Sequence, residues 1–395
     1  MKSVRIIVLL LFFYSLLSYA NNQVSVVSID SLSYAQFNAG DWDGLIETAK
    51  LAEINNIDFK WLQQRVGYAY FVKKQFYKSM QHYEKALDYD SADEISRLYL
   101  YYNGINTGRT AFARFQASQL SEITLTEVRE KQCRLIDAVD LEYSYKMPDN
   151  PATHQAHYKR IGLNSQLGYK LNLYQSFSTF NQNTDTTQTR QNEYFVLLGL
   201  NPAAKTNISI GYHYVGSKVD LSQETMYPGS YLYPGNIFYG KITQQLNRFD
   251  LALSGASFKN DWLDSKQLGV HLSVNFAGSN NINLTSSYYR IIETELDYSY
   301  GRNVFKQTAG IMLFNRLWTE AYVNLGNLNQ FIDNNGLYFY NSLDPTTFRT
   351  GISGFLYVCK PLTIYLNYNY DTKKIITDNL FYNQHSITGG VIWKI

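Results

Sequence analysis

The sequence is poor in cysteine and in charged residues. Among its 395 residues only Cys133 and Cys359 are cysteines, and two thiols so far apart define no disulfide framework. They are expected either to pair in an oxidising compartment or to stay unpaired. Charged residues make up 17% of the chain, which is low for a soluble protein. No run rich in lysine and arginine is present, so no nucleic-acid partner is expected.

Long apolar runs are also missing, apart from one at the N-terminus. Two basic residues precede an apolar run at 6–17, and small residues at Ser18 and Ala20 follow it. This is the pattern of a secretory signal peptide, with cleavage predicted after Ala20. An uncleaved anchor helix is the alternative, for which the run is short. Residues 1–20 are therefore predicted to be a signal peptide that exports the chain.

Aromatic residues and short alternating segments dominate the rear of the chain. There are 35 tyrosines and 22 phenylalanines, whose rings suit membrane interfaces and wet lumens. In residues 361–372, apolar or aromatic side chains occupy the even positions from Leu362 to Tyr370, and Thr, Tyr or Asn occupy the odd ones. Segments 267–276 and 317–326 alternate similarly. Because strand side chains point alternately to opposite faces, this pattern predicts a transmembrane β-barrel.

Turns and longer connections order the predicted strands. Threading them from residue 131 to residue 395 gives an antiparallel barrel of about fourteen strands. Twelve and sixteen are the alternatives, because residues 336–340 fit a strand as well as a loop. Outer-membrane barrels place short turns in the periplasm and long loops outside. The connections predicted to be long are 148–155, 181–190, 219–234, 260–265, 294–302, 327–345 and 371–381. Those at 219–234 and 327–345 are candidates to block the pore.

The inward positions of these strands carry aromatic and charged side chains. Both signs of charge are present, so no preference for cations or anions is predicted. Aromatic rings with polar tips can stack on sugar faces while they hydrogen-bond hydroxyl groups. The alternative is that the rings fill space or form cross-strand pairs. The residues predicted to face the lumen are Tyr174, Tyr239, Lys241, Tyr289, Lys306, Trp318, Glu320, Tyr322, Arg349 and Tyr365.

Residues 21–130 read as helices and contain a repeated pattern. Its clearest copy places Gly67, Tyr70, Ser79, Tyr83 and Ala86 at set offsets. These residues resemble the tetratricopeptide repeat, a helix–turn–helix unit with a period of about 34 residues. Shifting the copy by that period predicts inter-helix turns at Gly40, Lys74 and Gly108. The resemblance implies a binding scaffold for a periplasmic protein partner, and a plain amphipathic helical domain is the alternative.

No catalytic or metal-binding motif accompanies the barrel pattern. His213 and His271 are candidates to face the lumen, but no motif places a serine or an acid beside them. Loop carboxylates such as Asp261 and Asp264 lack the spacing of metal ligands. The chain is therefore predicted not to be an enzyme, with no catalytic residue, cofactor or metal. A barrel hydrolase or acyltransferase acting on lipid through His213 or His271 remains a third hypothesis.

The order of the predicted parts resembles two groups of bacterial proteins. A signal peptide (1–20), a tetratricopeptide-like helical domain (21–130) and a barrel (131–395) occur in that order in YaiO-type outer-membrane proteins. Larger exopolysaccharide-export porins are similar in architecture. The resemblance implies a Gram-negative outer membrane, with the barrel in lipid and the helical domain in the periplasm. The first hypothesis is a channel or export port for a polar solute or glycan. A non-conducting membrane anchor for an interaction module is the alternative.

Overall fold

A computed structural model describes residues 24–261, 263–276, 281–295, 298–342, 344–375 and 379–395. The predicted signal peptide lies outside these residues. The chain forms two compact units, of which the first ends at Ser96 and the second begins at Arg97. Among the described helices, none combines the length and the apolar character needed to cross a membrane.

The first unit is built from helical hairpins. Its helices are α1 (Val26–Ala39), α2 (Trp42–Ile54), α3 (Lys60–Val72) and α4 (Phe76–Tyr89), followed by the start of α5 (Glu94–Asn106). The side chains of Ser25 and Asp41 cap the first turns of α1 and α2 by accepting backbone N–H groups. Apolar side chains of α1, α2 and α3, among them Leu45 and Leu62, form a buried core.

The turns between paired helices share one conformation at positions 40, 74 and 108. Gly40, Lys74 and Gly108 have φ values of 69°, 56° and 72°, and all three are left-handed. In each turn the next backbone N–H donates to a carbonyl five residues back, over 2.9, 2.9 and 2.8 Å. This bond ends a helix without leaving its last carbonyls unpaired. The third turn joins α5 to α6 (Thr110–Ala117), and a short α7 (Glu122–Glu127) follows.

The second unit contains a closed antiparallel barrel of fourteen strands, as predicted. Its first strand, β1 (Arg134–Pro148), pairs with its last, β16 (Phe381–Lys394), and closes the sheet. A separate two-stranded hairpin, β12 (Phe331–Asp333) with β13 (Tyr338–Tyr340), lies outside this sheet order. The barrel strands are β1 (Arg134–Pro148), β2 (Thr153–Gly168), β3 (Leu171–Thr184), β4 (Thr187–Ala203), β5 (Thr206–Leu221), β6 (Gly229–Leu246), β7 (Phe249–Lys259), β8 (Leu263–Phe276), β9 (Ile282–Glu295), β10 (Tyr298–Leu313), β11 (Leu317–Leu325), β14 (Thr346–Tyr357), β15 (Leu362–Lys374) and β16 (Phe381–Lys394).

The two faces of the barrel differ as the alternation predicts. On β15, Leu366 is 61% exposed on the outer surface, whereas the neighbouring Tyr365 is 7% exposed. On β8, Leu268 is 65% exposed and Gln267 is 2% exposed. Large apolar side chains thus cover the outside and polar side chains fill the inside. Closure leaves no unpaired strand edge in hydrocarbon, so the fold is that of a transmembrane β-barrel.

Several connections that were predicted to be long are short hairpins, and those predictions were wrong. β3 ends at Thr184 and β4 begins at Thr187, β7 ends at Lys259 and β8 begins at Leu263, and β9 ends at Glu295 and β10 begins at Tyr298. The strands continue past the apolar band because neighbouring strands still satisfy their backbone groups. Residues 219–234 likewise belong largely to β5 and β6. The long connection 326–345 is present, and it holds the β12–β13 hairpin.

The helices of the second unit lie against one end of the barrel. We call the end where β1 starts and β16 finishes the terminal end, and the opposite end the loop end. The guanidinium of Arg109 lies 2.6 Å from a carboxylate oxygen of Asp250 at the start of β7. Arg114 of α6 donates to the carbonyl of Gly168 at the end of β2. Lys170 lies over the ring of Phe115, 4.6 Å from its centre. These contacts seat α6 on the terminal end.

Candidate functional site

Residues 326–345, here called the inner loop, pack inside the barrel wall. The side chains of Leu328 and Phe331 are fully buried. The Phe331 ring meets Tyr289 of β9 edge to face, with 4.9 Å between ring centres. At the other side of the hairpin, Phe339 lies 4.6 Å from Phe258 of β7. The inner loop therefore narrows the lumen from the side of β5 to β10.

Side chains of the wall satisfy the backbone of the inner loop. The Gln267 amide donates to the carbonyl of Ile332 over 2.8 Å and accepts its N–H over 3.1 Å. The Nδ1 of His213 lies 2.9 Å from the carbonyl oxygen of Gly336. An unpaired backbone group in such a buried place would cost about 1–3 kcal/mol. The wall thus specifies one position of the loop.

Charged side chains fix the inner loop at further points. Lys306 of β10 pairs with Asp333, at 2.7 Å. Glu142 of β1 accepts from Tyr338 over 3.1 Å and pairs with Arg160 over 3.0 Å. Arg349 of β14 donates to the hydroxyl of Tyr340 over 2.6 Å. The cost of burying these charged groups is offset because each has an oppositely charged partner or several hydrogen bonds.

A cavity of about 810 Å³ remains between the inner loop and the wall. At the loop end it reaches Leu221, the last residue of β5, and Tyr233 of β6. In the other direction it reaches Glu320 and Phe355, close to the terminal ends of β11 and β14. Its lining combines amides, hydroxyls and charged groups with aromatic rings. A cavity lined by both polar and apolar groups thus follows the wall through most of the length of the barrel.

The residues predicted to face the lumen fall into three groups. Lys306, Glu320, Tyr322 and Tyr365 line the cavity. Tyr239, Lys241, Tyr289 and Arg349, together with Lys306 again, contact the inner loop. Tyr174 donates to Asp140 over 3.2 Å, and the ring of Trp318 lies over Gly310 on the next strand.

Other residues of the cavity were missed by the sequence analysis. Asp333 lies in a loop, where strand alternation gives no information. Lys373 falls within the connection predicted at 371–381, although β15 continues to Lys374. Lys146 lies at the loop end of β1, next to the connection predicted at 148–155. Extending the alternation by a few residues past each predicted strand end would have found both lysines.

The lumen histidines have partners that no motif indicated. His271 Nε2 lies 2.9 Å from Ser254 Oγ, and His271 Nδ1 lies 2.9 Å from Ser287 Oγ. A serine therefore stands where a nucleophile–base–acid triad needs a carboxylate. His213 Nε2 lies 3.3 Å from Glu193, but its Nδ1 holds the inner loop. Neither histidine lines the cavity, and no group of metal ligands was found among the described residues.

In the helical unit, the residues of the repeat pattern pack α3 against α4. Ser79 and Ala86 are fully buried, and a Cβ at Gly67 would lie 2.9 Å from the Tyr83 ring. Tyr70 stacks on His82 at 5.2 Å between ring centres. His82 Nδ1 contacts Gln63 Oε1 over 2.6 Å. Burial, with a smaller contribution from Lys85, lowers the pKa of His82 to about 4, so this histidine is neutral at pH 7.

Comparison with known proteins gives remote likenesses to solved structures. No protein-family model and no curated protein sequence matches the chain. Among solved structures, the CymD monoaromatic hydrocarbon channel has a TM-score of 0.47 at 11% identity, covering 71% of this chain and 93% of its own. An anion-selective porin from Comamonas acidovorans has a TM-score of 0.37 at 11% identity, covering 67% and 99%. A bacterial polysaccharide outer membrane secretin has a TM-score of 0.40 at 11% identity, covering 66% and 99%. These likenesses are to outer-membrane β-barrels with different cargoes.

Proposed function

We propose that this chain is an outer-membrane channel that carries a polar solute or a glycan. The supporting observation is the cavity of about 810 Å³ that follows the wall beside the inner loop. An anchor needs no such space, because a barrel of about eight strands is filled by its own side chains. The amides, hydroxyls and charges of the lining replace the hydration shell of a polar solute. The apolar outer surface supports a location of the barrel in lipid.

The inner loop acts as the constriction of this channel. It is held by residues of β1, β5, β8 and β10 at once, so moving it requires several buried contacts to break together. With the loop in place, the open path is restricted to the cavity beside it. Small solutes would pass beside the loop, and larger ones would need the loop to move.

Planar-bilayer recording tests this function. The wild-type protein should give small single-channel currents. A variant in which a short Gly-Ser linker replaces residues 328–344 should give clearly larger ones, because the loop occupies part of the lumen. The matched control replaces the exposed connection 222–228 with a linker of the same kind and should leave the conductance unchanged. No conductance from either the wild type or the loop variant would refute the channel.

The helical domain is proposed to lie in the periplasm and to recruit a protein partner. Three helical hairpins whose left-handed turns recur at positions 40, 74 and 108 support a tetratricopeptide-like scaffold. Such stacks bind extended peptides and protein segments on one face. Photo-crosslinking of the full-length protein in cells, from exposed positions on α1 and α3, should capture a specific periplasmic protein. Absence of any crosslink that depends on the position of the probe would argue against this role.

A non-conducting anchor is the second candidate. The full burial of Leu328 and Phe331 favours it, because a loop that packs this tightly can close the barrel permanently. Under this alternative the wild type conducts nothing. Conductance that appears only after residues 328–344 are replaced would then support the anchor.

A further inference from the structure

Five neutral polar side chains of the inner wall lie side by side along the cavity. We call them the hydroxyl–amide patch, and they are Ser144, Thr388, Asn367, Ser353 and Asn369. The first four stand opposite one another on β1, β16, β15 and β14, and the fifth lies one inward position nearer the loop end on β15. Neighbouring strands are about 4.8 Å apart, so the row of four is about 14 Å long. The patch is therefore continuous across four strands.

The groups of the patch keep hydrogen-bonding capacity that a ligand can use. Thr388 donates to Ser144 Oγ over 2.8 Å, and the Asn367 amide donates to Ser353 Oγ over 2.7 Å. A hydroxyl that accepts one bond still has its own hydrogen to donate. Asn369 donates one of its two amide hydrogens to Asn367. The patch thus presents donors and acceptors next to each other, which is what the hydroxyl groups of a sugar require.

Two aromatic rings border the patch on the side of the terminal end. Phe355 of β14 and Tyr365 of β15 stand opposite each other, one inward position from Ser353 and Asn367. Their rings are stacked, with 5.3 Å between the centres and 27° between the planes, and both residues line the cavity. The pair offers an apolar surface beside the polar patch. A pyranose ring has the same two kinds of surface, an apolar C–H face and a rim of hydroxyl groups.

The charges that line the cavity favour an uncharged ligand. Four residues of the lining are acids and three are bases, so neither sign is in clear excess. Lys306 pairs with Asp333, and Glu142 pairs with Arg160 of the wall. A charged solute would lose its hydration here without gaining a counter-charge of its own, which is costly. A neutral sugar loses only hydrogen bonds to water, which the patch replaces.

We infer that the hydroxyl–amide patch and the Phe355–Tyr365 pair form a binding site for an uncharged pyranose unit of a glycan. The apolar face of the sugar packs on the aromatic pair, because aromatic rings bury such a surface favourably. Its hydroxyl groups exchange hydrogen bonds with Ser144, Ser353 and Asn369. The inference rests on the proposed transport function, and it names the class of solute that the channel selects.

Saturation-transfer NMR of the full-length protein tests the site, in a detergent whose headgroup is not a sugar. The probes are three disaccharides of similar shape: neutral cellobiose, anionic cellobiouronic acid and the cationic β-1,4-linked glucosamine dimer. Cellobiose should bind at least about fivefold more tightly than either charged probe, because only the charged probes pay for desolvating a charge. This comparison uses the wild type alone and does not depend on the folding of a variant. Equal binding of the three, tighter binding of a charged probe, or no binding of cellobiose would overturn the site.

Two variants locate the binding within the barrel. Ser353→Ala should weaken cellobiose binding about fivefold, because it removes one hydrogen bond. Phe355→Ala should weaken it roughly tenfold, because it removes one of the two stacked rings. The matched controls are Ser286→Ala and Phe177→Ala, which replace exposed residues of the same types on the outer face of the barrel and should bind cellobiose as the wild type does. An equal loss in the controls would contradict a site in the cavity.

Current recorded in planar bilayers separates the site from transport. Cellobiose added to the bath should reduce the current of the wild type more than that of Ser353→Ala, because the sugar occupies the open path. A current that cellobiose does not reduce, together with no cellobiose binding, would remove the site and leave the channel. Cellobiose binding that depends on Ser353 and Phe355, without any current, would leave the site and remove transport.

Discussion

Lys306 and Asp333 form an ion pair that joins the wall of the barrel to the inner loop. The Lys306 ammonium lies 2.8 Å from one carboxylate oxygen of Asp333 and 2.7 Å from the other. Asp333 also accepts the backbone N–H of Asn334 over 2.8 Å, and the ammonium lies over the ring of Tyr322. The pair therefore holds the turn between β12 and β13 against β10.

Replacing Lys306 should loosen the inner loop. In Lys306→Met the Asp333 carboxylate stays buried without its cation, at a cost of about 3–5 kcal/mol. The loop is expected to leave the wall, so single-channel conductance in planar bilayers should rise above that of the wild type. Thermal unfolding, followed by heat-modifiable migration on gels, should shift to lower temperature. Lys159→Met on the outer face is the control and should change neither.

A double variant tests whether Lys306 and Asp333 stabilise the protein as a pair. Lys306→Met with Asp333→Asn removes both charges, so its effect on thermal unfolding should be smaller than the sum of the two single effects. A double-variant effect equal to the sum of the two single effects would show that the two residues act independently. Unchanged conductance in a folded Lys306→Met barrel would show that the pair does not hold the constriction.

Gly336 is a second point at which the loop can be displaced. Its φ of +93° is strained for any residue with a side chain. A Cβ there would lie 3.1 Å from the Cβ of Tyr239 and 3.4 Å from the ring of Phe195. Gly336→Ala should destabilise the seated loop by about 1–3 kcal/mol and make the current noisier. Gly240→Ala is the control, because a Cβ at Gly240 meets nothing within 4 Å, and an equal effect of both variants would contradict the prediction.

The faces of the barrel and a long loop at 327–345 were predictable, but the contacts that position this inner loop were not. Alternation at 361–372 is a local property of the strand, so it assigned Tyr365 and Leu366 to opposite faces without knowledge of the partners. The position of the inner loop depends on residues far away in the chain, such as Gln267 for Ile332 and Glu142 for Tyr338. No local pattern in one sequence carries such pairings.

Residues that line the cavity near the strand ends were missed because the ends of the strands were predicted too early. Apolar residues mark the part of a strand that lies in lipid, but Lys373 lies in a stretch of β15 beyond it. There both faces are polar and the alternation fades. The turns at Gly40 and Gly108 were easier to predict. Shifting the turn of the clearest repeat by one repeat period gives their positions, even though the repeats that contain them are degenerate.

The stability of the helical unit should depend on pH through His82. Its pKa is about 4 in the folded protein, below the unfolded value of about 6.5. The unfolded state therefore binds the proton more tightly, and the free energy of unfolding decreases as the pH falls from about 6.5 towards 4. The loss by pH 4 is about 3 kcal/mol, because each pKa unit corresponds to about 1.4 kcal/mol.

Urea unfolding of the full-length protein, followed by circular dichroism at 222 nm, measures this effect. The helical transition should move to lower urea between pH 7.5 and pH 5. His82→Gln retains an amide that can donate to Gln63 but does not titrate, so its midpoint should stay constant over the same range. A wild-type midpoint that does not move with pH would contradict the assignment.

The two cysteines can establish which end of the barrel faces the periplasm. Cys133 precedes β1 and Cys359 lies between β14 and β15, so both are at the terminal end, and both are free and exposed. If this end is periplasmic, a membrane-impermeant maleimide should not label intact cells. After permeabilisation of the outer membrane it should label both thiols, because they form no disulfide.

Met226 supplies the matched probe for the opposite end. It lies between β5 and β6 at the loop end and is 86% exposed. With Cys133→Ser and Cys359→Ser in the background, Met226→Cys should react in intact cells, because the loop end then faces the medium. The reverse result, with the native thiols labelled in intact cells and Met226→Cys protected, would place the terminal end outside. A periplasmic location of α6, which is seated on that same end, would then be excluded.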